Sequence, residues 1–247
     1  MKYVAYTEGV PTANYALVET TDQLEQQVRH LRYPLFVKPA KAGDSLGVDE
    51  HSLVQTAEEL HVKAQSLLTA WPQLLVEEYV AGREFTVLVA ADAAYPKQCR
   101  VFQPIEYIFP EGRSYKTYEL KTSELHPESN IPVTDALLKQ QLTEASQRIF
   151  RSFGGVGYAR MDYRMDADGH LYFLEVNFTC SVFYSDGYEG SADYILKLDG
   201  IGQAGFLRHI VAEGIARHKR KQKKYRMKGN SIAGLVSTPH NRWQKKK

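Results

Sequence analysis

Arg160-Met161-Asp162 and, beyond a turn, Leu174-Glu175-Val176-Asn177 decide how this chain is read. The runs Tyr158–Met165 and Leu171–Val176 alternate or run apolar as strands do. Between them, Asp166-Ala167-Asp168-Gly169-His170 is turn chemistry. With Ala167–His170 as the loop and Asp166 opposite Leu171, Asp162 falls opposite Glu175 and Arg160 opposite Asn177. Side chains two apart on a strand share a face, so all four point the same way. Like charges opposed across strands destabilise a sheet, and a divalent cation between them removes that penalty. Asp, Glu and an Asn amide are hard oxygen ligands that suit Mg²⁺ held together with substrate phosphates. The alternative is a solvated hairpin face with an Arg–Glu pair. A one-residue change in loop length would shift the register and weaken the metal reading.

The chain of 247 residues is long enough for one large domain or two lobes. Its composition is that of an ordinary globular protein. No apolar run reaches the roughly 18 residues of a membrane span, and the opening Met1–Tyr6 is too short for a signal peptide. Two cysteines, Cys99 and Cys180, make no disulfide framework. A reducing, cytoplasmic setting is therefore expected. Cys180 has no evident histidine partner and reads as a small loop residue rather than a nucleophile.

Net charge is +2, unevenly spread. Residues 1–216 carry 19 basic and 29 acidic side chains, and 12 Lys and Arg follow from Arg217 onward with no acid among them. An acidic body with a basic, disordered tail over 217–247 is the expected organisation. Such a tail could contact nucleic acid or an anionic surface.

The pattern along the chain predicts strands at Tyr15–Val18, Leu35–Pro39, Leu74–Tyr79, Glu84–Ala91 and Val101–Phe109. It predicts helices near Asp22–Leu31, Thr56–Leu68 and Val133–Phe153, and a last one from about Gln203. Pro110–Ile131 reads as a long loop and Phe178–Gly200 as irregular. Strands and helices mix without strict alternation, which argues for α+β lobes.

Two further elements suggest phosphate handling. Lys38 ends a strand before a loop carrying Gly43, Ser45 and Gly47, whose N–H groups could form an anion-binding concavity. Lys38 would add a point charge. In Glu77-Glu78-Tyr79-Val80-Ala81-Gly82-Arg83-Glu84, Glu77 and the backbone at Tyr79–Val80 could bond an adenine edge, and Glu84 ribose hydroxyls. A surface loop and a charged edge hairpin are the plain alternatives.

Taken in order, Lys38-Pro39 with its Gly/Ser loop, Val76–Val87, and the Arg160-Met161-Asp162 … Glu175-Val176-Asn177 pair resemble ATP-grasp enzymes, and among them D-alanine–D-alanine ligases. The resemblance covers roughly residues 2–215. It implies an α+β ATP-grasp fold over 1–216, with a small lobe over about 1–82 and a large lobe over 83–216 that carries the metal site. By motif position it implies that Lys2 and Lys38 are nucleotide lysines and that Glu77 and Val80 contact adenine. Glu84 then contacts ribose, Ser45 lies in the phosphate loop, and Lys116 is a phosphate lysine in the long loop. Asp162, Glu175 and Asn177 are implied as ligands of two Mg²⁺ ions, with Mn²⁺ as an alternative, and Arg160 as the residue that stabilises the acyl phosphate and the tetrahedral intermediate. The activity implied is ATP-dependent joining of a carboxylate to an amine, with an amino acid or peptide as substrate and D-alanine the best single guess. A homodimer is the assembly implied.

Three departures accompany the resemblance. The ligases carry an N-terminal domain that has no counterpart before Lys2, so a fragment, a minimal enzyme and a partner-completed protein are all expectations. Cys180-Ser181 stands where the ligases have Pro-Gly, and Asp44 where they have a serine. A second reading is a non-catalytic nucleotide-binding or scaffold protein, and a third is nucleic-acid binding through Arg217–Lys228.

Overall fold

The computed structural model describes residues 1–43, 45–115, 127–178 and 180–236, with side chains through Lys224. A four-stranded sheet forms the first lobe, in the order β1 (Tyr15–Val18), β4 (Leu74–Glu78), β2 (Leu35–Pro39), β3 (Leu53–Val54). Its inward residues Val18, Leu35, Val37, Leu74 and Val76 pack on α2 (Leu24–Val28) and α3 (Ala57–Leu68). Alternation then turns Phe36, Lys38, Leu75 and Glu77 to the other face. The Thr56 hydroxyl caps α3 by accepting from the Glu59 N–H.

The second lobe is an antiparallel sheet in the order β10 (Leu171–Asn177), β9 (Tyr158–Met165), β5 (Arg83–Ala91), β7 (Ile105–Tyr107), β8 (Asn130–Pro132), with β6 (Cys99–Val101) also on β5. One face, including Phe85, Val87, Val89, Met161, Tyr163 and Phe173, buries against Leu138, Leu142, Ala145 and Ile149 of α4 (Ala136–Ser152). Those helical positions fall at the three- and four-residue spacing of one apolar stripe. The opposite face is divided along its length. Leu88 and Ala90 are covered by Ile195 and Leu196 of α5 (Ser191–Asp199) and Phe206 of α6 (Gly202–Val236). Glu84 and Thr86, further along the same face, meet the polar residues of β9 instead.

Several expectations change. A helix, α1 (Lys2–Thr7), opens the chain, and its Ala5, with Val10, joins the core under the large sheet rather than the small one. The Phe173 N–H donates to the Pro11 carbonyl, and Arg148 to that of Glu8, which fixes this segment there. The expected strand Val101–Phe109 is two strands, because Pro104 lacks the N–H a continuous ladder needs. Phe178–Gly200 is not wholly irregular: α5 is a nine-residue helix in which the Asp193 carboxylate accepts from the Gly190 N–H, stopped by Gly200 at φ 83°. The stretch read as a loop to Ile131 ends in β8. The last helix runs into the basic segment as expected: α6 carries the chain past residue 217, with Arg217 bonded to Glu213 and Arg220 to the Ala93 carbonyl. No described helix is long and apolar enough to cross a membrane.

The hairpin shows how register is set. Leu171 pairs with Met165, not Asp166. That register alone would face Glu175 into the core with Phe173, since the two share parity. A bulge between Phe173 and Glu175 adds one residue and restores the expected pairing of Glu175 with Asp162 and Asn177 with Arg160. Phe173 and Val176 consequently both reach the core although they are three apart.

Gly82, in the turn between the lobes, has φ +135°, and a Cβ there would lie 2.2 Å from the Met165 carbonyl oxygen. Gly82→Ala should lower unfolding stability by about 2 kcal/mol or more, read from urea midpoints. An unchanged midpoint would show that this crossing is not fixed by backbone contact.

Candidate active site

The cleft between the lobes gathers charge from both. From the small lobe, Glu77 lies between two lysines: Lys2 Nζ is 2.6 Å from its Oε2 and Lys38 Nζ 2.8 Å from its Oε1. Lys2 also donates to the Thr12 hydroxyl at 3.0 Å. Lys2 and Glu77 are buried, and Lys38 retains some exposure. Burial alone would raise the Glu77 carboxyl, but Lys2 and Lys38 outweigh it and hold it at about 2. Burial draws Lys2 below its ordinary value, against the pull of Glu77. Burial opposes charge on Lys38 too, yet Glu77 and Glu175 together hold it above the usual lysine range.

From the large lobe, β9 and β10 bring Arg160, Asp162, Glu175 and Asn177 to one face, as the sequence predicts. Arg160 Nη2 donates to Asp162 Oδ2 at 3.2 Å. Thr86, paired with Asp162 across β5 and β9, donates its hydroxyl to Oδ1 at 2.9 Å. Asn177 Nδ2 donates to Glu175 Oε1 at 3.1 Å, which fixes the direction of the amide. The Asp162 charge raises Arg160 above its ordinary value. Glu175 acts electrostatically on Lys2, Lys38 and Arg160 alike, so it stands where the two lobes' charges meet.

Glu84 is buried beside Arg164, whose Nη1 is 3.8 Å away. Val80 lies in the segment joining β4 to β5, and Ser45 in the loop after Lys38 with φ 57°. Lys116 and Asp44 lie outside the described residues. Sequence reading missed Thr86, Thr12 and Arg164. The alternation of Glu84 with Thr86 was a signal, but which strand would lie beside β5 was not legible.

The donor set fits a magnesium–nucleotide complex. Asp162, Glu175 and Asn177 offer only hard oxygens, on neighbouring strands of a rigid hairpin. Arg160 Nε is a buried donor with no hydrogen-bond partner among the described residues. With two lysines and an arginine around it, this cleft asks for an anion as well as a cation. Cys180 is buried, and burial pushes its thiol up to about 11, which makes it a poor nucleophile.

Glu77 should govern acid stability. Its pKa is lowered from 4.5 to about 2, so its contribution is present above 4.5 and is lost as pH falls towards 2. Glu77→Gln should remove that slope and, by leaving buried Lys2 without its counter-charge, cost about 3–5 kcal/mol at neutral pH. Urea unfolding across this pH range measures both. Parallel curves for the two proteins would mean that Glu77 is not the titrating group.

Known proteins resemble this chain. The family described as "D-ala D-ala ligase C-terminus" matches residues 4–183. The D-alanine–D-alanine ligase of Pseudomonas fluorescens (strain Pf0-1) is 31% identical over 177 residues, covering 71% of this chain and 51% of its own length. That of Gloeobacter violaceus is 32% identical over 181 residues, covering 71% and 56%. The chain spans about half the length of the curated relatives it matches. Among solved structures, the D-alanine–D-alanine ligase from Coxiella burnetii superposes with a TM-score of 0.68 at 19% identity, over 94% of this chain and 60% of that one. The Bacillus anthracis enzyme complexed with ATP gives 0.64 at 20%, over 90% and 66%. These likenesses show the fold, the two-lobed α+β ATP-grasp architecture. With its family match over most of the chain, this protein belongs to the D-ala D-ala ligase C-terminus family.

Proposed function

We infer that the cleft binds Mg²⁺-ATP and joins a carboxylate to an amine, with D-alanine as the leading candidate for the substrate. One observation carries this reading. The Lys2–Glu77–Lys38 triad and the Arg160–Asp162–Glu175–Asn177 face, 80 residues and more apart in sequence, converge on a single cleft.

When bound, Mg²⁺-ATP supplies the phosphoryl group that turns a carboxylate, a poor electrophile, into an acyl phosphate that an amine attacks. The chain's own part is to bind and to stabilise charge. Asp162, Glu175 and Asn177 would hold the metal, with Thr86 keeping Asp162 oriented. Lys38 and Lys2 would hold phosphates. Glu77 offsets one of their two charges and bonds both, so the two ammonium groups are held side by side rather than dispersed. Glu84 and the backbone at Val80 would take the ribose and base. Arg160, with an unpartnered Nε and a guanidinium that stays charged, would stabilise the negative oxygen of the tetrahedral intermediate.

Asp162→Asn and Glu175→Gln should each weaken Mg²⁺-dependent ATP binding by more than the roughly 10–100-fold that outer-shell changes cost. Phosphate release should depend on added D-alanine, with a dipeptide product identified by mass. Unchanged Mg²⁺-ATP affinity in both variants would overturn the metal assignment. ATP binding without stimulation by D-alanine would overturn that substrate.

A further inference from the structure

Arg164 has no place in the roles given above, yet it is one of the most enclosed charged groups in the protein, with 3% of its surface exposed. It sits on β9 two residues from Asp162 and four from Arg160, on the same face, and pairs in register with Glu84. At about 3.3 Å per residue, the three side chains run along some 13 Å of cleft floor. Arg160 marks the reacting end, Asp162 the metal, and Arg164 the far end beside Glu84.

Its contacts join three separate segments. Nη2 donates to the Gly82 carbonyl at 3.0 Å and to the Ser114 carbonyl at 2.9 Å. The guanidinium lies 4.7 Å from the centre of the Tyr79 ring and 5.8 Å from that of Phe109. The Tyr79 hydroxyl donates to the same Ser114 carbonyl at 2.7 Å. Tyr79 and Gly82 bracket the short crossing between the lobes, so this one side chain binds the crossing to the segment that carries Phe109 and Ser114. Nε remains a buried donor without a hydrogen-bond partner among the described residues. A purine or ribose acceptor would satisfy it.

We propose that Arg164 is the nucleotide-positioning residue of the cleft's base end: it holds the 79–82 crossing and the Ser114 loop in place as the walls of a preformed base slot and offers that slot one free donor. The proposal rests on the nucleotide reading above.

The test compares Mg²⁺-ATP with Mg²⁺-tripolyphosphate, which has the charge but no base or ribose, by calorimetry on the full chain. Arg164→Met keeps an apolar stem over Tyr79 and removes every donor. Arg164→Lys keeps the charge and loses the planar fork. Both should weaken ATP binding at least about tenfold and tripolyphosphate binding less than about twofold. Equal weakening of the two ligands would mean a merely structural residue and would overturn the proposal, as would unchanged ATP affinity. If Arg164→Met does not fold, the Lys variant decides, because it retains the buried charge. A wild-type protein that binds tripolyphosphate but not ATP would overturn the base slot while leaving the metal and phosphate assignments standing. Binding of neither ligand would overturn the nucleotide reading itself.

Discussion

A single buried carboxylate holds this cleft in its shape. Glu77 is the point at which the N-terminal helix, through Lys2, and the small sheet, through Lys38, are bonded to one another. Without it, two ammonium groups would face each other in a poorly solvated space, and their repulsion would push α1 from the sheet. With it, both stay charged and in place. Such a pair adds little net stability over an apolar packing of the same volume. Its worth lies in keeping positive charge stored, at fixed position, where an incoming anion would need it.

The large lobe solves the converse problem. Asp162 and Glu175 are opposed across strands, an arrangement a sheet ordinarily avoids. The hairpin tolerates it because Thr86 and Arg160 take up Asp162, Asn177 takes up Glu175, and Lys38 looks on from the other lobe and Lys2 from α1. Three positive and three negative side chains thus meet across the cleft. The neutral sum explains how so many charges are accommodated with so little exposure.

Much of this was legible in the chain itself. Period-2 alternation in Leu35–Pro39 and Leu74–Glu78 assigns Lys38 and Glu77 to the non-core face without any knowledge of the partner strand. The stop of α4 at Gly154-Gly155 was equally readable, whereas the capping run Thr20-Thr21-Asp22 lies ahead of α2, whose N-cap is Gln23 without a side-chain bond. What could not be read depended on tertiary pairing. The hairpin register came out right for Asp162 and Glu175 from a wrong starting pair, because the bulge at Leu174 has no residue-type signature. α1 lacks a capping side chain and is six residues long, so its docking under the large sheet is decided by Ala5 and Val10 finding that core. Arg164 was passed over because a lone arginine in a strand carries no motif; only the stacking on Tyr79 and the bonds to Gly82 and Ser114 distinguish it.

The docking of α1 has a mechanical meaning. Since residues up to Pro11 belong to the large lobe and β1 to the small one, the chain passes between the lobes at 12–14 and again at 79–82. The two passages lie side by side: the Glu78 N–H donates to the Asn14 carbonyl at 2.9 Å, and Asn14 Nδ2 to the Glu78 carboxylate at 3.1 Å. Two adjacent covalent straps define an axis, as two pins do for a door. Twisting and sliding would stretch one strap against the other, and the Lys2–Glu77 pair bridges the lobes beside them. Lys38 and the Ser45 loop belong to the swinging leaf, and Asp162 and Glu175 to the frame. Rotation about that axis would therefore change the separation between Lys38 and the carboxylates of Asp162 and Glu175, and would also part Lys2, on the frame, from Glu77, on the leaf.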